Sequence, residues 1–227
     1  MATKVSGFLE ERLGARGLLV GFLDRKVPAN LNYFYTFGSA TLFLFTIQAL
    51  TGAFLAMYYS PSPDHAYDSV RYIMNDVQFG SLIRGIHHWA ASAMVAMVVG
   101  HALRTFLTAA YKYPRELTWV IGVALLLLVL GFGFTGYLLP WDQRAYWATV
   151  VGTNMARTIP VVGDFLFRVL RGGEDLGAVT LARFYATHVL FLPALTIGLI
   201  GAHLFLVVRL SISEPPVRVS TSKPKGR

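Results

Sequence analysis

The segment RGIHHWAASAMVAMVVGHALR, residues 84–104, sets two histidines inside an apolar run bounded by two arginines. His87 stands three residues after Arg84, and His101 three before Arg104. A helix needs ~20 apolar residues to cross the hydrocarbon of a bilayer, which this run supplies. Backbone polar groups in lipid must be satisfied internally, so the run is expected to be helical. Ionisable residues inside such a span are costly and mark function. The 14-residue step from His87 to His101 is close to four turns, or ~21 Å of rise. Both rings therefore face one side of the helix, one in each leaflet.

Working outward, three more runs without Asp, Glu, Lys or Arg stand out. With the first they predict membrane helices over 33–59, 85–103, 117–141 and 184–208, called spans A to D. Pro193 in span D predicts a bend. The fold class expected is all-α membrane, a four-helix bundle forming one domain over 1–227. Residues 1–30 read as an amphipathic surface helix and entry, 142–183 as a loop with surface helices, and 211–227 as a basic tail. The composition agrees: 55% of residues are hydrophobic and 14% charged, against about 25% in soluble domains. The chain has no cysteine, which excludes disulfides, iron–sulfur clusters, thiolate zinc sites and thioether haem attachment within it. No short apolar run with a small-residue cleavage site opens the sequence, so no cleaved signal peptide is expected. The net charge of +8 is concentrated at span ends and in the tail, which favours anionic lipid over nucleic acid.

Loop charge sets orientation. Lys4, Arg12, Arg16, Arg25 and Lys26 precede span A, and Lys112 and Arg115 lie between B and C. Arg209, Arg218, Lys223, Lys225 and Arg227 follow D, while the A–B connection sets Arg71 against Asp64, Asp68 and Asp76. Both termini are therefore expected on the cytoplasmic side, with B and D parallel.

Span D repeats the pattern of B, with His188 and His203 15 residues apart. Because B and D are parallel, His87 is level with His188, and His101 with His203. Two imidazoles facing each other at each of two depths is what bis-histidine haem ligation requires. His88 points to another helix face and His65 lies in a loop, so neither is expected to ligate. Spans A and C carry glycines at the same period, Gly38 and Gly52, and Gly122 and Gly136. Without a Cβ they permit close approach, here read as approach to two haems. Arg84 and Arg104 stand where propionates would emerge, and Arg183 is a weaker candidate for that role.

These residues carry a family likeness. Gln48-Ala-Leu-Thr-Gly52, Ser81-Leu-Ile-Arg84 with His87-His88-Trp89, and Pro114-Arg-Glu-Leu-Thr-Trp119 belong to it. So do Thr135-Gly-Tyr-Leu-Leu-Pro-Trp141-Asp-Gln143, Ile159-Pro-Val-Val-Gly163 and Arg183-Phe-Tyr followed by His188. The chain resembles the N-terminal, haem-binding half of the cytochrome b family, in its short split b6 type. That resemblance implies two non-covalent b haems: a low-potential one on His87 and His188 near the positive side, and a high-potential one on His101 and His203 near the negative side. It implies haem or propionate contacts at Gln48, Arg84, Arg104 and Trp119, and a quinol-site loop including Gln143 and Asn154. It also implies quinol as substrate and, as partners, a Rieske iron–sulfur protein, a c-type cytochrome and a subunit IV-like C-terminal half, in a homodimeric complex. The membrane would be a bacterial plasma membrane or a thylakoid-like one.

Two departures bear on those expectations. The family's photosynthetic b6 type attaches an extra c-type haem through a cysteine near the start of span A; Thr36 stands there, so no covalent haem is expected. The arginine that partners that haem is replaced by Val208, with Arg209 one position on. The Pro-Glu-Trp-Tyr quinol-oxidation motif is absent, so the chain is expected to be an incomplete catalyst alone. A dihaem anchor of a hydrogenase or formate dehydrogenase would lack the glycine period and the Pro-Trp-Asp-Gln element. A histidine-based metal transporter would need carboxylates inside the spans, and there are none.

Overall fold

The computed structural model describes residues 32–213. The surface helix expected over 1–30 and most of the basic tail lie outside the described residues. A 3-10 turn, Tyr33–Thr36, leads into α1 (Phe37–Ala56). α2 (Ala66–Asn75), α3 (Gly80–Leu107) and α4 (Glu116–Leu138) follow. α5 (Gln143–Arg157), α6 (Gly163–Arg171) and α7 (Ala178–Ala186) form the C–D connection. A π-helical turn, Thr187–Phe191, then joins α7 to α8 (Leu192–Leu210). Among the described residues there is no strand, and four stretches are long and apolar enough to cross a membrane: Tyr33–Ala56, Gly80–Leu107, Glu116–Leu138 and Ala178–Leu210.

The four spans pack as two close pairs, α1 with α3 and α4 with α8, joined through α3 and α4. Their outward faces carry large apolar side chains such as Phe43, Leu50, Trp89, Leu127 and Phe205, all exposed. A soluble protein could not leave so much apolar surface open to water, whereas lipid solvates it. The helix ends differ from the expected span limits for local reasons. α1 ends at Ala56, ahead of Ser60-Pro61. α4 ends at Leu138, just before Pro140, which cannot continue the helix. Trp141 then takes a left-handed φ of 51°, and the Asp142 carboxylate caps α5 by accepting from Ala145 N at 2.8 Å.

Pro193 does not interrupt span D. It sits in the first turn of α8, immediately after the π-helical turn, which accommodates the lost N–H and the ring's bulk. His188 lies within that turn.

The connection between α4 and α8 is helical and folds over one end of the bundle. Leu138, Leu181, Phe184 and Ala66 form a buried cluster there with Tyr59, Phe134, Leu139, Trp141 and Leu170. Tyr59 Oη donates to the Leu139 carbonyl at 2.7 Å. Buried Arg171 donates to Thr153 Oγ1 at 2.8 Å, Glu174 O at 2.7 Å, Val150 O at 3.1 Å and Asn154 Oδ1 at 3.1 Å. Its guanidinium also lies 4.3 Å from the Phe167 ring centre. One buried cation thus joins α5, α6 and the turn beyond them.

Candidate metal centre

The four histidines of α3 and span D meet in two pairs. The rings of His87 and His188 are 6.5 Å apart between centres, and those of His101 and His203 are also 6.5 Å apart. Two metal–imidazole bonds of about 2.0–2.1 Å, plus ~1.1 Å from each nitrogen to its ring centre, give about 6.3 Å. Each gap therefore fits one metal ion with an axial imidazole on either side. Among the described residues no cluster of three or more His, Cys, Asp or Glu could hold a metal. The described residues offer two imidazoles per level, and a macrocycle would supply the remaining positions.

The glycines refine this picture. A Cβ on Gly52 would stand 3.2 Å from His87 Cε1, and one on Gly38 3.0 Å from His101 Cε1. On α4, a Cβ on Gly136 would come within 2.6 Å of His188 Cε1, and one on Gly122 within 3.3 Å of His203 Cε1. The close approach that each glycine permits is thus to the imidazole of its own paired helix. The shared period of histidines and glycines follows: each ring needs a bare patch of backbone at its own depth.

Each ring's second nitrogen must also be placed. Thr51 Oγ1 lies 2.9 Å from His87 Nδ1, and Thr135 Oγ1 lies 3.1 Å from His188 Nδ1. Both hydroxyls donate their single proton one turn back, Thr51 to Ile47 O at 2.6 Å and Thr135 to Gly131 O at 2.8 Å. A carbonyl cannot donate, so each Oγ1 faces its histidine as an acceptor and Nδ1 carries the ring proton. That leaves Nε2 with a free lone pair for a metal. At the other level, His101 Nδ1 and His203 Nδ1 are buried without a hydrogen-bond partner. The backbone of Thr118 interacts with His203, short of hydrogen-bond geometry. Thr51 and Thr135 went unread in the sequence, yet each directly precedes its glycine; Phe37 and Ile121 hold those positions before Gly38 and Gly122.

The remaining candidates divide. Gln48 Nε2 donates to the His87 carbonyl at 2.7 Å, tying α1 to the histidine helix. Arg104 stacks 4.4 Å over the Tyr35 ring, and Arg104 Nε and Tyr35 Oη are both buried without partners. Unpaired buried donors beside His101 suit an acidic group such as a propionate. Arg84 Nη1 reaches Met74 Sδ at 3.5 Å. Arg183 instead donates to Val169 O at 2.8 Å, on α6. Trp119 joins Phe106 and Tyr111 in an aromatic cluster. Gln143 accepts from Trp147 Nε1 at 3.0 Å, and Asn154 accepts from Arg171. His88 is exposed and rests edge-on against Trp89, and His65 is exposed ahead of α2. Between the levels, Met94, Val98 and Val129 pack with Phe45 and Leu126 into an apolar layer.

The family described as Cytochrome b/b6/petB matches residues 22–211. The chain belongs to the cytochrome b/b6 family. Within it, the chain is 48% identical to cytochrome b6 of Heliobacterium modesticaldum, covering 92% of this chain and 99% of that protein. It is 44% identical to the menaquinol:cytochrome c reductase cytochrome b subunit of Geobacillus thermodenitrificans, over 95% of this chain and all of that one. The fold superposes on a chain of a hyperthermophilic respiratory Complex III with a TM-score of 0.85 and 34% identity, covering 97% of this chain and 58% of that one. As a member of the cytochrome b/b6 family it is a multi-pass integral membrane protein that binds b-type haem.

Proposed function

We propose that this chain is the dihaem subunit of a quinol:cytochrome c or plastocyanin-type oxidoreductase, carrying electrons between quinol-oxidation and quinone-reduction sites on opposite membrane faces and contributing to proton translocation. The observation that carries the reading is the repeated 6.5 Å gap between facing imidazoles at two depths. His87 and His188 would hold one haem near the positive side, and His101 and His203 the other near the negative side. When bound, haem supplies reversible one-electron redox chemistry at iron. The protein's part is to present Nε2 from each ring, keep the Nδ1 proton on the ring, and exclude water with an apolar layer between the levels. Arg104 and Tyr35 supply unpaired donors for a propionate, with Arg84 in the matching role at the other level.

The match with b6-type relatives, over 92% of this chain for one of them, supports partnership with a subunit IV-like chain, a Rieske protein and a c-type cytochrome, in a homodimeric complex. The basic loops support cytoplasmic termini in a bacterial plasma or thylakoid-like membrane. The helical cover over 142–183, including Gln143 and Asn154, is assigned to the quinol side. Thr36 supports the absence of a covalent third haem. Haem quantification and a reduced-minus-oxidised spectrum of the purified complex test the reading. Two b-type haems per chain and no haem on the denatured polypeptide are expected; one haem or none in an assembled complex would overturn it.

A further inference from the structure

The two imidazole levels match in ring separation and glycine contact but differ at Nδ1. At one level both rings face a threonine hydroxyl oxygen; at the other neither does. The difference is built the same way on two helices. Each threonine hydroxyl is turned toward its ring because its own proton is held one turn back on the helix. A hydroxyl that donates while it accepts is polarised into a better acceptor.

A hydrogen bond accepted from the outer ring N–H raises the basicity of a metal-ligating histidine. A more basic axial ligand pushes charge onto the metal and favours its oxidised state, and hydrogen bonding beyond the ligands is one of the protein's levers on haem potential. We infer that Thr51 and Thr135 are positioning residues that make His87 and His188 the more electron-rich ligand pair, lowering the reduction potential of the metal they hold relative to the one between His101 and His203. Phe37 and Ile121, at the equivalent positions before Gly38 and Gly122, offer no side-chain acceptor. The couple is one electron onto or off the metal; the Nδ1 proton stays on the ring in both states. The inference rests on the dihaem reading above.

The test is an optical redox titration of the intact complex carrying T51V, T135V or both, with haem quantified in each sample. Valine keeps the shape of threonine and removes the acceptor. In the double variant one of the two haem steps is expected to move upward by roughly tenfold in its reduction equilibrium, ~59 mV for one electron, while the other stays in place. The ferric EPR signal of that haem should shift with it. T51S and T135S, which retain the oxygen, should titrate like the wild type. T105V should do so too, because that hydroxyl serves the His101 carbonyl and no ring. If the double variant does not assemble, T51V alone carries the test with a smaller shift of the same sign. Both steps unmoved, or moved equally, in a variant holding two haems overturns the inference. Fewer than two haems in the wild-type complex overturns the dihaem reading instead.

Discussion

Set side by side, the two histidine levels show which features of the bundle are repeated and which are particular. Both levels hold their rings 6.5 Å apart, and both lay each ring against a glycine of the neighbouring span. These features recur because four helical turns bring the same two faces together again. The Nδ1 partners and the cover do not recur. The His87/His188 level has threonine acceptors and lies toward the end closed by α5, α6 and α7. The other has no threonine acceptor at either Nδ1, and Arg104 Nε and Tyr35 Oη there lack hydrogen-bond partners. Helix periodicity can copy a ligand site, but it does not copy the surroundings that tune it.

The largest effect should come from removing a ligand. His188→Leu and His203→Leu should each lower haem content from two per chain to one, read by pyridine haemochrome assay on the assembled complex. Loss of both haems from either variant would show that the levels are a single cooperative unit, and the comparison would fail. Next comes Arg171→Met, which strips the buried Thr153 hydroxyl, Asn154 and two carbonyls of their donor, at a cost of about 3 kcal/mol. Haem content should stay at two while proteolysis within 157–177 rises; destabilisation of the uncovered level instead would contradict the assignment of the cover.

A smaller effect separates the glycines. Gly136→Ala drives a Cβ to 2.6 Å from His188 Cε1 and should cost about 1–3 kcal/mol, seen as earlier thermal loss of one haem band. Gly122→Ala meets His203 at 3.3 Å and should be milder. Equal losses at the two sites would mean that the levels pack alike. Smallest is Tyr35→Phe. Deleting a buried hydroxyl without a protein partner should change stability by less than ~1 kcal/mol, while shifting the midpoint of one haem if that hydroxyl meets a propionate. An unchanged titration curve would leave Arg104, of these two residues, as the donor at that mouth.

Much of the site was legible in the sequence because membrane helices are nearly straight and their rise is constant. Residue spacing then converts to depth and facing, which is why His87, His101, His188 and His203 could be paired and His88 set aside. The neighbours of the glycines were not legible. Gly38, Gly52, Gly122 and Gly136 were read as making room for a macrocycle, and the structure sets each against an imidazole. Thr51 and Thr135 were overlooked because a threonine in a membrane helix ordinarily bonds its own backbone one turn back. Both do so, and they offer the other side of the oxygen to a histidine. Arg183, a candidate for a propionate at the border of span D, donates to Val169 O, and Asn154, a candidate for the quinol side, accepts from Arg171.

The sequence by itself determined four spans, two levels and the depth of each paired histidine. Those follow from the thickness of a bilayer and the rise of an α-helix, quantities that depend on no contact between helices. Only the tertiary structure decided that α1 lies on α3 and α4 on α8, that each ring rests on glycine, and that one pair of rings has acceptors. Those depend on which faces meet across helices far apart in the chain, where close packing and hydrogen bonding select the partner. It also decided that the bulk of Pro193 is absorbed by a π-helical turn containing His188. The local break in helix geometry falls at His188 because Pro193, in the next turn, has no backbone N–H to donate.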